Sequence, residues 1–140
     1  MKTAWILLAT MCLGACANIG KPSIQSASSL QGHWQLLEAS SAAVPSEGVR
    51  AKVLQFDTEQ SRVSGSVGCN QLMSAYASNG ALIQFKGIAT SRMACSPDSV
   101  MQFEYKVIRN LESVSSWRIE GDKLLLLDAS KNTVLKLKRM

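Results

Sequence analysis

The stretch Arg62-Val63-Ser64-Gly65-Ser66-Val67-Gly68-Cys69-Asn70 sets the architecture. Residues 62–67 alternate as a strand does, and Gly68 permits a sharp bend before Cys69 and Asn70. The same alternation extends on both sides. Upstream, Asp57-Thr58-Glu59-Gln60 is a turn, and residues 49–56 alternate with Arg50 and Lys52 as a second strand. Gly32-His33-Trp34-Gln35-Leu36 places Trp34 and Leu36 on one face of an opening strand, and residues 40–48, with Pro45, form a loop. Downstream, residues 75–78 are a weak strand, and Asn79-Gly80 is a hairpin turn before a strand over 81–85.

One helix interrupts the strands. Ser96 is placed to act as its N-cap, Pro97 falls at the first helical position and Asp98 lies in the first turn. Val100, Phe103, Val107, Leu111 and Val114 then recur at helical spacing and form one apolar stripe, which reads as core. Three strands follow, over 115–120, 123–127 and 133–138, with turns at Gly121-Asp122 and Ser130-Lys131-Asn132. In the last strand Lys136 and Lys138 read as outward lysines blunting a sheet edge. The predicted fold class is α+β, mainly β. It is an antiparallel, partly closed, barrel-like sheet of about eight strands with one amphipathic helix.

The chain has 140 residues, enough for one domain, and 46% of them are hydrophobic, too many for a disordered chain. No apolar run reaches the roughly 18 residues of a membrane-spanning helix. A single His excludes multi-histidine metal sites and leaves little general-base chemistry.

The start has its own character. Met1-Lys2-Thr3 precedes an apolar run from Ala4 to Leu13, the pattern of a signal peptide. Leu13-Gly14-Ala15-Cys16 is similar to the lipobox of bacterial lipoproteins. Cys12 is the rival, but Met11 is too bulky for the small-residue position before it. The resemblance implies cleavage before Cys16, acylation of Cys16 and anchoring to membrane lipid, which two or more acyl chains make stable. Ala17, where an Asp favours inner-membrane retention, implies the outer membrane, with the domain facing the periplasm. The expected organisation is a lipoprotein signal peptide over 1–15, a lipid anchor and flexible tether over 16–30 and the domain over 31–140. Removing residues 1–15 takes away Lys2 and no acidic residue, so the net charge of +5 falls by one. The residual positive charge reads as a solvated face, since an exported protein seldom meets nucleic acid.

Several elements along residues 31–140 resemble the META domain, the HslJ heat-shock protein family. Gly65, Gly68, Cys69 and Asn70 match its GCN signature. Tyr76 follows, and Thr90, Arg92, Met93, Ala94 and Cys95 match its T-x-R-M-A-C element. Glu104 and Leu111 fall on the following helix, Gly121-Asp122-Lys123-Leu124 and Leu126 match its closing hairpin, and Gly32 and Trp34 match its opening strand. Ser74 departs from the pattern where the family has a Gly, which raises the question of how the backbone bends there. The resemblance implies a largely antiparallel β fold closed by one helix, often in an envelope lipoprotein, with links to heat shock and novobiocin resistance.

Cys69 and Cys95 are the cysteines left after the anchor. In an oxidising periplasm their even count reads most simply as a disulfide, and the alternative is two separate buried thiols. A bond between them closes a loop worth about 3.5 kcal/mol in the chain-entropy model. It would tie the start of the helix to the end of the central strand. His33, beside Trp34, reads as outward-facing, with no nucleophile motif to serve. Met73, Met93 and Cys95 form a remote option for soft copper ligation, against gap-filling Met and an oxidised Cys95. Arg92 reads as bracing its loop through backbone carbonyls, with partner contact as the alternative.

No catalytic site, metal or cofactor is expected, and the protein is expected to be a monomer with no nucleic-acid partner. The first functional reading is a non-catalytic envelope lipoprotein supporting outer-membrane integrity under stress, through lipid or an envelope protein partner. The second is a periplasmic binding module, either a protein inhibitor or a carrier of a small hydrophobic ligand. A ring filled by Trp34, Phe56, Phe85 and the helix stripe favours the first. An apolar pocket of a few hundred Å³ favours the second.

Overall fold

A computed structural model describes residues 26–46 and 51–140. The signal peptide over 1–15, Cys16 and most of the tether lie outside the described residues, as does the start of the strand expected from residue 49.

The strands are β1 (Gly32–Ala39), β2 (Ala42–Ala43), β3 (Val53–Asp57), β4 (Arg62–Ser66), β5 (Gln71–Asn79) and β6 (Leu82–Thr90). The helix α1 (Asp98–Ser113) is followed by β7 (Ser116–Glu120), β8 (Lys123–Leu127) and β9 (Thr133–Arg139). All strand pairings are antiparallel and form one nine-stranded sheet. The sheet runs in the order β2-β1-β3-β4-β5-β6-β7-β8-β9, and β9 pairs back onto β1, so the bonding forms a ring.

Alternation decides which side chains fill that ring. Trp34 and Leu36 on β1, Leu54 and Phe56 on β3, and Leu135 and Leu137 on β9 all point inward and are buried. α1 lays Phe103, Val107 and Leu111 against the same core, as the apolar stripe predicts, and buries Val100 beside Gly68. Phe103 is 5% exposed. Phe103→Ala should cost about 3–5 kcal/mol in urea unfolding, as a large-to-small core change. A cost near zero would show that the stripe is not core.

Four expectations are corrected. Ser96 is not the N-cap: the helix begins at Asp98 with Pro97 as its extended N-cap residue, whose carbonyl accepts the Val100 N–H at 3.0 Å. The last strand is not an edge, because β9 has β8 on one side and β1 on the other. Its outward lysines instead meet carboxylates, Lys136 with Glu38 at 2.9 Å and Lys138 with Asp122 at 3.6 Å. The loop expected over 40–48 contains the short strand β2, paired with the end of β1. Finally, the chain folds onto the domain before residue 31. Ala27–Leu30 is a 3-10 turn with Leu30 fully buried, and the Leu30 carbonyl accepts the Trp34 indole N–H at 2.8 Å. Arg139 lies over the Trp34 ring at 4.2 Å and donates to the Ser29 and Gln31 carbonyls at 2.7 and 3.1 Å, which fastens this turn to the last strand.

The departure at Ser74 also has an answer. β5 and β6 shift register between Met73 and Ala75, with the additional residue on β6, between Lys86 and Ala89. Ser74 is buried, and its hydroxyl, within reach of the Ala75 carbonyl at 2.8 Å and the Lys86 carbonyl at 3.0 Å, satisfies the bulge. The bend therefore sits on the facing strand.

Beside it, Phe56, Tyr76 and Phe85 form an aromatic cluster with ring centroids 5.7 to 6.2 Å apart. The Tyr76 hydroxyl donates to the Asp57 carbonyl at 3.3 Å. Burial, and secondarily the Asp57 charge, hold the Tyr76 phenol above its usual range. Above about pH 10 the unfolded chain releases this proton while the folded chain keeps it, so stability falls as pH rises. Stability curves taken between about pH 9 and 11 should therefore decline less steeply for Tyr76→Phe than for the parent.

Candidate functional site

The two sequence elements that stand out, around Cys69 and around Cys95, meet at the N-terminal part of α1. After β4 the chain turns tightly, with the Val67 N–H donating to the Asn70 carbonyl at 3.3 Å. Gly68 sits in this turn at φ +154°, and a Cβ there would lie 2.9 Å from the Glu104 Oε1 and 3.0 Å from a Val100 methyl. Only a glycine lets the turn approach the helix this closely.

Glu104 is the reason for the approach. It is 3% exposed, and on an otherwise apolar face of α1 its carboxylate would be costly without partners. The loop supplies them. Oε1 accepts the backbone N–H of Cys69 and that of Asn70, the latter at 2.6 Å, and Oε2 accepts the Asn70 side-chain amide at 2.7 Å. Such charge-assisted bonds to a buried carboxylate are among the stronger ones in proteins.

Asn70 passes the connection on. Its Oδ1 accepts the Ser91 hydroxyl at 2.8 Å and the Met93 N–H at 2.6 Å, and its Nδ2 also donates to the Met93 carbonyl at 3.3 Å. Asn70 is itself buried. One amide thus joins the helix carboxylate to the loop that follows β6. A covalent link runs in parallel: Cys69 and Cys95 are disulfide-bonded, with Cα atoms 6.3 Å apart and a sequence separation of 26. Cys95 lies just before α1, so the start of the helix is tied to the end of β4 twice.

The other sequence candidates fall around this latch. Thr90 ends β6 and pairs with Leu72. Arg92 does not brace the loop; Asn70 does that. Arg92 is exposed at φ +53°, a left-handed conformation uncommon for a non-glycine residue, and among the described residues its side chain makes no hydrogen bond or ion pair. Met93 is exposed beside it, while Met73 lies on the outer face of β5 opposite Ala89. With the Cys95 sulfur committed to Cys69, the copper option has lost its thiolate. His33 is exposed on β1 opposite Gln55. Sequence reading missed Ser91 and the role of Glu104. The signal for Glu104 was present, as an acid interrupting an apolar helix face one turn from Val100.

The comparisons agree with this geometry. The META domain model matches residues 27–140, which includes the turn at Ala27–Leu30. A protein solved by NMR has a TM-score of 0.65 at 23% identity, over 81% of this chain and 94% of its own. An NMR structure of a protein from Burkholderia xenovorans has a TM-score of 0.63 at 21% identity, over 93% of this chain and 99% of its own. A DUF4847 family protein from Bacteroides vulgatus has a TM-score of 0.50 at 14% identity, over 78% of this chain and 92% of its own. These likenesses show the fold. The comparison with curated proteins gives no match. With the family model spanning the folded region and the latch accounting for its GCN and RMAC elements, the chain belongs to the META domain family.

Proposed function

We propose that this protein is a non-catalytic envelope lipoprotein, acylated at Cys16 and held on the outer membrane with its domain in the periplasm. It supports envelope integrity under stress or antibiotic challenge through contacts made by its outer surface. The observation that supports this reading is the filled interior. Trp34, Trp117, Phe56, Leu54, Leu124 and Leu137 all lie within the ring at 0 or 1% exposure, where a ligand carrier would need open space. The reading includes no catalytic step, because the sequence carries no nucleophile motif for His33 to serve. Among the described residues no helix is long and apolar enough to cross a membrane, so the reading places attachment at the acyl chains of Cys16.

Cys16→Ala should abolish fatty-acid labelling and leave uncleaved precursor. Labelling that survived in this variant and vanished with Cys12→Ala would refute the choice of lipobox. Crosslinking of the full-length protein in its own envelope tests the second half of the reading. Adducts with envelope proteins or lipids are expected, and their absence from every face would remove surface contact as the mode of action.

A further inference from the structure

The sheet ring has a thin place. β6 and β7 share only the register pair Leu82↔Ser116, backed by the Ile83 N–H donating to the Ser115 carbonyl at 3.2 Å. From residue 84 to Thr90, among the described residues, no strand pairs with the side of β6 that faces away from β5. A strand edge of this kind offers backbone donors and acceptors to another chain.

A groove of about 860 Å³ adjoins this edge, between β6 and α1. Its apolar lining is Ile88 from β6, Met93 from the latched loop, and Met101, Tyr105 and Ile108 from α1. Met93 is 41% exposed and Tyr105 62%. Met101, Tyr105, Ile108 and Glu112 recur at helical spacing, so they form a second stripe beside the core-facing one. Arg92 lies on the loop leading to the helix start, and Glu112 lies in the last turn. The groove is therefore cationic at one end and anionic at the other. From Met101 to Glu112 the helix rises about 16 Å, the length of about five residues of extended chain.

We infer that this groove receives an extended peptide segment of a partner protein, added to β6 as an antiparallel strand. The segment is apolar at alternate positions, acidic at the end near Arg92 and basic at the end near Glu112. The inference rests on the reading that the domain acts through surface contacts, and it names the surface and the partner. An acyl chain would fill the apolar lining but leave the strand edge without hydrogen bonds, whereas a peptide backbone satisfies both. Antiparallel addition continues the arrangement of every other pair in the sheet and is the slightly more stable mode. The latch matters here, because Asn70 and the disulfide hold the Arg92–Met93 loop in place before a partner arrives, which lowers the ordering cost of binding.

The test uses the full-length chain in detergent and a fluorescent probe peptide, Asp-Val-Thr-Val-Thr-Val-Lys. Saturable binding is expected, with amide NMR shifts concentrated on residues 84–90. The charge-reversed peptide, Lys-Val-Thr-Val-Thr-Val-Asp, should bind roughly tenfold more weakly. In the double variant Arg92→Glu, Glu112→Arg that preference should invert. Both residues are exposed, so the variant is expected to keep the parent amide spectrum outside the groove. A probe N-methylated at alternate residues should lose binding, because its strand-forming N–H groups are gone. Equal binding of the methylated probe, an unchanged charge preference in the double variant, or shifts centred on the outer face around Met73 would each overturn the proposal. If the probe fails while envelope crosslinks map to another face, the groove is refuted and the surface-contact reading stands.

Discussion

Gly65→Ala should leave the domain largely unfolded, with a loss of more than about 4 kcal/mol. Gly65 lies on β4 opposite Leu54, at φ +152°. A Cβ there would sit 2.0 Å from the Val53 carbonyl oxygen and 3.0 Å from the Leu54 Cα. Both obstacles are backbone, so no side chain can rotate away, and β3 and β4 would have to part. Leu54 and Phe56, both fully buried, would lose their positions with β3. Urea unfolding with far-ultraviolet dichroism measures the effect. Ser64→Ala, on the exposed face of the same strand, is the control and should change stability by less than about 0.5 kcal/mol. A Gly65→Ala midpoint matching that control would contradict the close approach of the two strands.

Glu104→Ala should cost about 4 kcal/mol, because it leaves three buried donors from Cys69 and Asn70 without their acceptor and opens a cavity beside Val100. Glu104→Gln separates the causes. It fills the same space and keeps one carbonyl oxygen for the two backbone N–H groups, but turns an amide donor toward the Asn70 amide, so about 2 kcal/mol is expected. Equal losses for the two variants would mean that the space filled and the one oxygen kept contribute little, and that the lost charge and second acceptor oxygen dominate. Measuring both in oxidised and reduced protein shows how far the disulfide compensates for the missing carboxylate.

The contrast between these two positions and the rest of the chain shows what a sequence can reveal. Short apolar runs bounded by tight turns were legible: β8 spans Lys123–Leu127 as read, and Asn79-Gly80 closes a hairpin. The α1 stripe was legible because its apolar residues all face one core. β5 and β6 were read short for a physical reason. At Gln71–Ser74 the inward positions are Leu72 and a buried serine, and a serine does not look like core until its two carbonyl acceptors are seen. At Lys86–Ala89 the bulge breaks the period of two. A partly closed sheet was legible, but not that the last strand closes it onto β1, since lysines facing outward look the same on an edge strand and on one paired at both sides.

The candidate site was half legible. Gly68, Asn70 and Met93 were singled out as motif residues, but the reason they belong together is Glu104, distant in sequence and acceptable in the core only because the loop arrives to meet it. Arg92 was given a bracing role that Asn70 performs, because a long cationic side chain and a short amide look equally able to hold a loop until their distances are known.

The pairing of β1 with β9 also governs timing. Glu38 and Lys136, 98 residues apart, are neighbours across that seam, and Arg139 reaches back to the Ser29 carbonyl. The first strand of the domain therefore waits for the last before its second edge is covered. Contacts of such long range slow folding, since the intervening chain must be ordered before they form. For a polypeptide delivered N-terminus first, the ring cannot close until β9 has emerged, and until then the β9-facing edge of β1, between Trp34 and Ala39, lacks its partner. Without β9, both β1 and β8 would be left as raw edges, so the arrival of this one strand removes two aggregation-prone edges at once.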